Sequence, residues 1–229
     1  MACLSLLLDI DGVLVRDKDL LNHVKDNCVT YVKHKVPSVK NAVETNKTLY
    51  LAYGHTARGL KEVYGADVSD FNEKVYDKKL IDHLCEVIYG TEFQQDGKII
   101  HELSQRRDLK VTLFTNAPSI WATYVKRSIS DSLFIRCPED NVLLSPLKPD
   151  PAAYKFPEHH VQIYVDDSLK NLGTIRYTPN WIPMHFTEEP KDKTLWCNQV
   201  YSIEELLLFI NSWEMWMDHS HFHKFDYGE

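Results

Sequence analysis

Two acids stand two residues apart in the first apolar run of the chain, Asp9 and Asp11 within "LLLDIDGVLV", residues 6–15. An unpaired carboxylate placed in a buried strand costs on the order of several kcal/mol, so a run that carries two needs a use for them. Three further polar sets follow apolar runs or lie in the loops beyond them. Thr115-Asn116 follows "VTLF", Lys148 sits in "SPLKPD" downstream of "LFIRC", and Asp166-Asp167 follows "VQIYV". These residue types suit phosphoryl transfer. Asp9, Asp11 and Asp166, with water and a backbone carbonyl, would make a hard oxygen site for Mg2+, with Asp167 supporting it. Such a cation relieves the repulsion between acids and admits a phosphate dianion. Asp9 would attack phosphorus to form an aspartyl-phosphate. Asp11 would give a proton to the leaving oxygen and later take one from water. Lys148 would supply fixed positive charge, and Thr115 and Asn116 would hydrogen-bond the phosphoryl oxygens.

The scheme works only if the fold brings the four sets together. Period-two and short apolar runs predict strands at 4–8, 110–114, 133–137 and 161–165, with "WIPMHF" and "NQVYS" as two more. From Asp19 to about Tyr89 every segment reads as helix, closing on glycine or proline. After Gly97, helices and strands alternate. Asp150-Pro151 reads as an N-cap with proline at the first helical position, and Asp70/Glu73 and Ser202/Glu205 as capping boxes. Alternation predicts an α/β fold: a Rossmann-like parallel sheet with helices on both faces, residues 1–15 and 96–229, and an inserted all-helical cap, residues 16–95. In such a sheet ligands bind beyond the carboxyl ends of the strands, where all four polar sets fall.

"DIDGVLV", "LFTNA", "KPDP" and "VDDS" resemble, in order, the four motifs of the haloacid dehalogenase-like hydrolase superfamily. The resemblance spans nearly the whole chain and implies that superfamily's core, its aspartate nucleophile and its Mg2+ dependence. An acid two residues after the nucleophile is the mark of its phosphatases and phosphomutases rather than its dehalogenases. "YGHTARGL", "FNEKVYD" and "VDDSLKN" are similar to the pyrimidine 5′-nucleotidase-like branch. By that resemblance Tyr53, Gly54, Arg58 and Gly59 belong to a cap over the phosphate site, and Arg58 would contact substrate through its guanidinium fork. The implied activity is hydrolysis of a small phosphate monoester, a nucleoside 5′-monophosphate with pyrimidine preferred. Two rival readings stand beside it: a phosphatase or phosphomutase for a sugar phosphate or another small metabolite, and a catalytically idle interaction protein using an apolar patch of Trp213, Trp216 and Met217.

Composition bounds these readings. Of 229 residues, 44% are hydrophobic, enough for a real core. The formal net charge of −7 opposes binding to a nucleic-acid polymer. Five cysteines without CxxC spacing predict reduced thiols and a cytoplasmic setting. No apolar run reaches membrane length, and "CLSLLL" lacks the flanks of a signal peptide. His55, His159, His160 and His185 have no zinc-ligand spacing, the His-rich tail "DHSHFHKFDYGE" reads as a solvated terminus, and the five tryptophans read as packing residues.

Overall fold

The structure, a computed structural model, describes residues 3–138, 145–157, 160–188 and 196–220. Six strands form one parallel sheet: β1 (Cys3–Leu8), β2 (Leu109–Phe114), β3 (Phe134–Arg136), β4 (His160–Asp166), β5 (Trp181–Phe186) and β6 (Asn198–Val200). Their spatial order is β3-β2-β1-β4-β5-β6. The chain winds outward from β1 in one direction, then returns to its other side at β4. That reversal leaves a crevice beyond the carboxyl ends of β1 and β4, the place where doubly wound sheets bind ligands.

Alternation along β1 assigns its side chains to two faces. Leu4, Leu6 and Leu8 join the main core with residues of α5 (Lys78–Ile88), α6 (Thr91–Ser104), α7 (Ser119–Ile129) and α9 (Ile203–Ser220). Leu7 points the other way, into an aromatic cluster with Phe114, Tyr154 and Tyr164 that α8 (Leu169–Thr174) closes through Leu172. Both faces of the strand are therefore apolar, as a covered parallel sheet requires.

Between β1 and α6 the chain makes α1 (Lys18–Lys35), α2 (Ala42–Tyr53), α3 (Thr56–Tyr64), α4 (Phe71–Val75) and α5. Asp17 caps α1 by accepting from Leu20 N, and Asn41 caps α2 by accepting from Glu44 N. Gly54 and Gly65 end α2 and α3 in the left-handed region. Helices α1–α4 bury a separate cluster, including Tyr31, Val32, Leu49, Leu60, Phe71 and Val75. Helix α5 instead sends Leu80, Ile81, Leu84 and Ile88 into the main core.

The Asp70/Glu73 capping box does not form. Asp70 makes no side-chain cap; it accepts from the Tyr31 hydroxyl at 2.6 Å and pairs with Lys35 at 2.9 Å, both on α1. Charge-assisted bonds to a long neighbouring helix outweigh a local cap on a five-residue one. Ser202 does cap α9, accepting from Glu205 N, while Glu205 reaches back to Tyr201 N. Asp150 caps the short 3-10 turn Pro151–Tyr154 through Ala152 N. Cys28, Cys85, Cys137 and Cys197 are free thiols. No helix among the described residues is long and apolar enough to cross a membrane. His159 and the tail 221–229 lie outside the described residues, and Trp216 and Met217 outside the described side chains.

Candidate active site

The carboxyl ends of β1 and β4 hold the acids. Asp9 is the first residue past β1, and its N–H donates to Val165 O at 3.0 Å, continuing the pairing with β4. Asp166 is the last residue of β4 and is fully buried. Lys148 projects between them: its Nζ is 2.9 Å from Asp9 Oδ2, 2.8 Å from Asp166 Oδ2 and 2.9 Å from Phe114 O. The lysine is 1% exposed, so it is bound on all sides by protein. Carboxylate oxygens of Asp9, Asp166 and Asp167 lie within 4.8 Å of one another.

Asp166 is spent on holding the site together. Besides Lys148 it accepts from the Tyr164 hydroxyl, from Asn171 Nδ2 at 3.1 Å and from Ser168 N at 2.8 Å. Asp167 faces outward, with its carboxylate against Gly12. The backbone there has φ +82°, and a Cβ on Gly12 would stand 2.4 Å from Asp167 Oδ2. Only glycine permits both that conformation and that approach. This is the physical reason for glycine directly after Asp11.

Three carboxylates sharing one ammonium leave surplus negative charge, and titration reflects it. Burial raises Asp9 well above the usual carboxylate range, with repulsion from Asp166, Asp167 and Asp11 adding to it against the pull of Lys148. Burial raises Asp11 to about 6, opposed by a hydrogen bond from Trp121 and by Lys148. Asp167 is exposed as a residue, but its carboxylate packs against Gly12, and loss of water there and then the charge of Asp166 raise it to about 7. Burial pulls Lys148 down, but Asp166 and Asp9 overcome it and hold the ammonium above the ordinary lysine value. The donor set and the surplus charge fit a hard divalent cation such as Mg2+. Asp11 is outside the group of carboxylates near enough to share an ion; its Oδ1 instead accepts from Trp121 Nε1 at 3.0 Å.

The remaining candidates divide. Thr115, buried at the end of β2, accepts from Ala117 N at 3.0 Å and keeps its hydroxyl hydrogen to donate. Asn116 clamps the backbone of Lys148 with both ends of its amide: Nδ2 donates to Lys148 O at 2.8 Å, and Oδ1 accepts from Lys148 N at 2.9 Å. Arg58 donates to Ser145 O at 3.2 Å and lies 3.8 Å from Asp150, so it ties α3 to the lysine loop. Gly54 meets the same loop, with Lys148 O 2.6 Å from where a Cβ would sit. Lys170 of α8 donates to Leu51 O on α2.

Tyr164, Asn171 and Trp121 escaped the reading of the sequence. Tyr164 and Asn171 flank Asp166 at −2 and +5, one on the strand and one on the helix that follows. That spacing is their only signal. Trp121 has none, since its contact spans 110 positions.

No family model matches the chain, and no curated protein matches it in sequence. Its structure is similar to solved ones. CbbY from Rhodobacter sphaeroides, in complex with phosphate, is 15% identical with a TM-score of 0.56, over 89% of this chain and 96% of that one. A haloacid dehalogenase-like family hydrolase from Streptococcus pneumoniae is 12% identical with a TM-score of 0.52, over 91% and 99%. A 2-haloacid dehalogenase from Pseudomonas syringae is 15% identical with a TM-score of 0.51, over 92% and 99%. With its strand order, its helices inserted after the first strand and its acids at the switch point, the chain has the haloacid dehalogenase-like fold.

Proposed function

We propose that this protein is a Mg2+-dependent phosphohydrolase that cleaves a small phosphate monoester through an aspartyl-phosphate on Asp9. The observation that carries the reading is the Lys148 ammonium wedged between Asp9 and Asp166, with a second acid, Asp11, two residues from the nucleophile. The likeness to CbbY, whose structure holds phosphate, supports the same class of ligand.

Asp9, Asp166 and Asp167 are the carboxylates near enough to share the cation, and Asp166 has the fewest lone pairs left for it. When bound, Mg2+ would cancel the surplus negative charge and let a phosphate dianion approach. Lys148 keeps Asp9 oriented and offsets its charge. One Asp9 oxygen forms a bond to phosphorus as the ester P–O bond breaks, and Asp11 gives its proton to the departing oxygen. Water then attacks phosphorus from the side the leaving oxygen vacated, opposite Asp9, Asp11 takes a proton from it, and the phosphorus–oxygen bond to Asp9 breaks. A pKa of about 6 suits Asp11 to both transfers near neutrality. Thr115 can donate its hydroxyl to a phosphoryl oxygen.

The leading substrate is a nucleoside 5′-monophosphate, pyrimidine preferred, on the resemblance of three segments to the nucleotidase-like branch. A small phosphorylated metabolite of this kind, rather than a nucleic-acid polymer or a membrane, is the expected partner, and a cytoplasmic setting accompanies it. The test is phosphate release from a panel of nucleotides and sugar phosphates with Mg2+ or with chelator. Activity should require Mg2+, and Asp9→Asn should lower it by at least about 10³-fold with the fold intact. Near-full activity in Asp9→Asn would sink the mechanism, and preference for a sugar phosphate would replace the substrate.

A further inference from the structure

Trp121 sits in the first turn of α7, wholly buried in the main core. Its size and burial make it look like packing alone, but an indole carries one polar atom, and a buried N–H needs an acceptor. The acceptor is Asp11 Oδ1, at 3.0 Å. The ring has a second neighbour of consequence. Tyr76, just past α4, meets it edge to face, with centroids 5.5 Å apart and planes at 73°. Tyr76 packs against both the main core and the cluster of α1–α4, so it lies where the inserted helices meet the sheet layer.

The chemistry of the contact is directional. Indole N–H only donates. Asp11 Oδ1 therefore accepts whether the carboxyl is ionised or protonated, and because a carbonyl oxygen accepts better than an acid hydroxyl, the acid proton is favoured on Oδ2. We propose that Trp121 is the positioning residue of Asp11, fixing which carboxyl oxygen carries the proton, and that Tyr76 holds the indole in place from the inserted helices. This rests on the phosphohydrolase reading above and deepens it: the leaving-group acid is aimed by a residue of the core that the inserted helices brace. The reaction keeps the balance already given, with the proton leaving Asp11 Oδ2 for the ester oxygen as the P–O bond breaks, and a proton from water returning to it.

The test compares leaving groups. An alkoxide, as from a nucleoside 5′-monophosphate, needs protonation to depart; p-nitrophenolate does not. The parameter kcat/KM counts steps only as far as departure of the leaving group, so later hydrolysis of the intermediate does not mask the comparison. In full-length Trp121→Phe with Mg2+, kcat/KM for the best alkyl phosphate should fall about 10- to 100-fold, while that for p-nitrophenyl phosphate should fall less than about threefold. In an Asp11→Asn background, Trp121→Phe should cause no further loss on p-nitrophenyl phosphate. Tyr76→Leu, which keeps the indole but removes its brace, should show the same selectivity at smaller amplitude, and it decides the matter where Trp121→Phe fails to fold. Equal losses on both substrates, or no loss on either, would overturn the proposal. Wild-type protein that releases no phosphate from either substrate would overturn the phosphohydrolase reading instead, and an active wild type with a dead Asp9→Asn would leave that reading standing whatever Trp121→Phe does.

Discussion

Two places in the molecule gather a cation among acids, and they differ in one respect. At the strand ends Lys148 stands between Asp9 and Asp166. In the segment between β1 and α1, Arg16 faces Glu92 at 2.6 Å, Asp96 at 2.8 Å and Glu188 at 4.0 Å, with its guanidinium over the Phe186 ring. The charge types match, but solvent access does not. Asp96 there is 8% exposed and is itself raised by burial, but the Glu92 and Glu188 side chains are 75% and 51% exposed, so water hydrates the rest of the surplus charge. Asp9 and Asp166 are 10% and 0% exposed, and their charge has nowhere to go. The Arg16 group is a tie between elements. The Lys148 group carries an unmet demand for positive charge, expressed as raised titration of Asp9, Asp11 and Asp167. Confinement of like charges, rather than the number of charges, separates a reactive cluster from a structural one.

The sharpest way to break this contrast is to remove each cation in turn. Lys148→Met keeps the length of the side chain and leaves two buried acids unpaired. It should cost about 3–5 kcal/mol in urea unfolding and abolish phosphate release. A stable, active Lys148→Met would erase the distinction. Arg16→Met should cost about 1–2 kcal/mol, because Asp96 loses a partner while the exposed glutamates fall back on water. Its kcat and KM should equal those of wild type. A loss of turnover comparable to that of Lys148→Met would join the two clusters functionally.

The smallest effect is linked to pH. Asp11 and Asp167 titrate at about 6 and about 7 in the folded chain, against 3.8 without these surroundings. Raised values mean the folded state holds protons that the unfolded state has released. Their stabilising contribution is complete below the unfolded value and is lost as pH rises through the folded ones. Buried His55, lowered to about 4, adds stability as pH rises toward its ordinary value, so in chelator the unfolding temperature should fall above about pH 6.5, as Asp167 completes its titration. Mg2+ should restore it, raising Tm by about 2–4 °C at pH 7.5 and by less at pH 5. A metal-induced shift of equal size at both pH values would mean that the cation does not replace these protons.

Much of this was legible in the chain. Apolar runs at 4–8, 110–114 and 161–165 marked strands because parallel strands covered on both faces must be apolar throughout. The acids stood out because nothing in a strand explains them. Spacing also brought Lys148 to the right edge of the sheet. What one sequence could not give was anything fixed by contacts across the fold. Asn116, read as a phosphate ligand, clamps the lysine backbone with both ends of its amide. Arg58, read as a substrate contact, also donates to Ser145 O, a partner that no local pattern announces. Asp70 looked like a cap but answers to Tyr31 and Lys35. In each case a polar group had several physically acceptable partners, and tertiary packing chose among them. Trp121 is the opposite case, an aromatic residue read as filler whose single polar atom carries its meaning.

Leu147 and Lys148 are neighbours in sequence with divided loyalties. The leucine is buried in the cluster formed by helices α1–α4, and the lysine is locked beneath the sheet edge against Asp9 and Asp166. One peptide unit thus couples two bodies. A shift of Leu147 with those helices would therefore be carried by one peptide to the ammonium between Asp9 and Asp166.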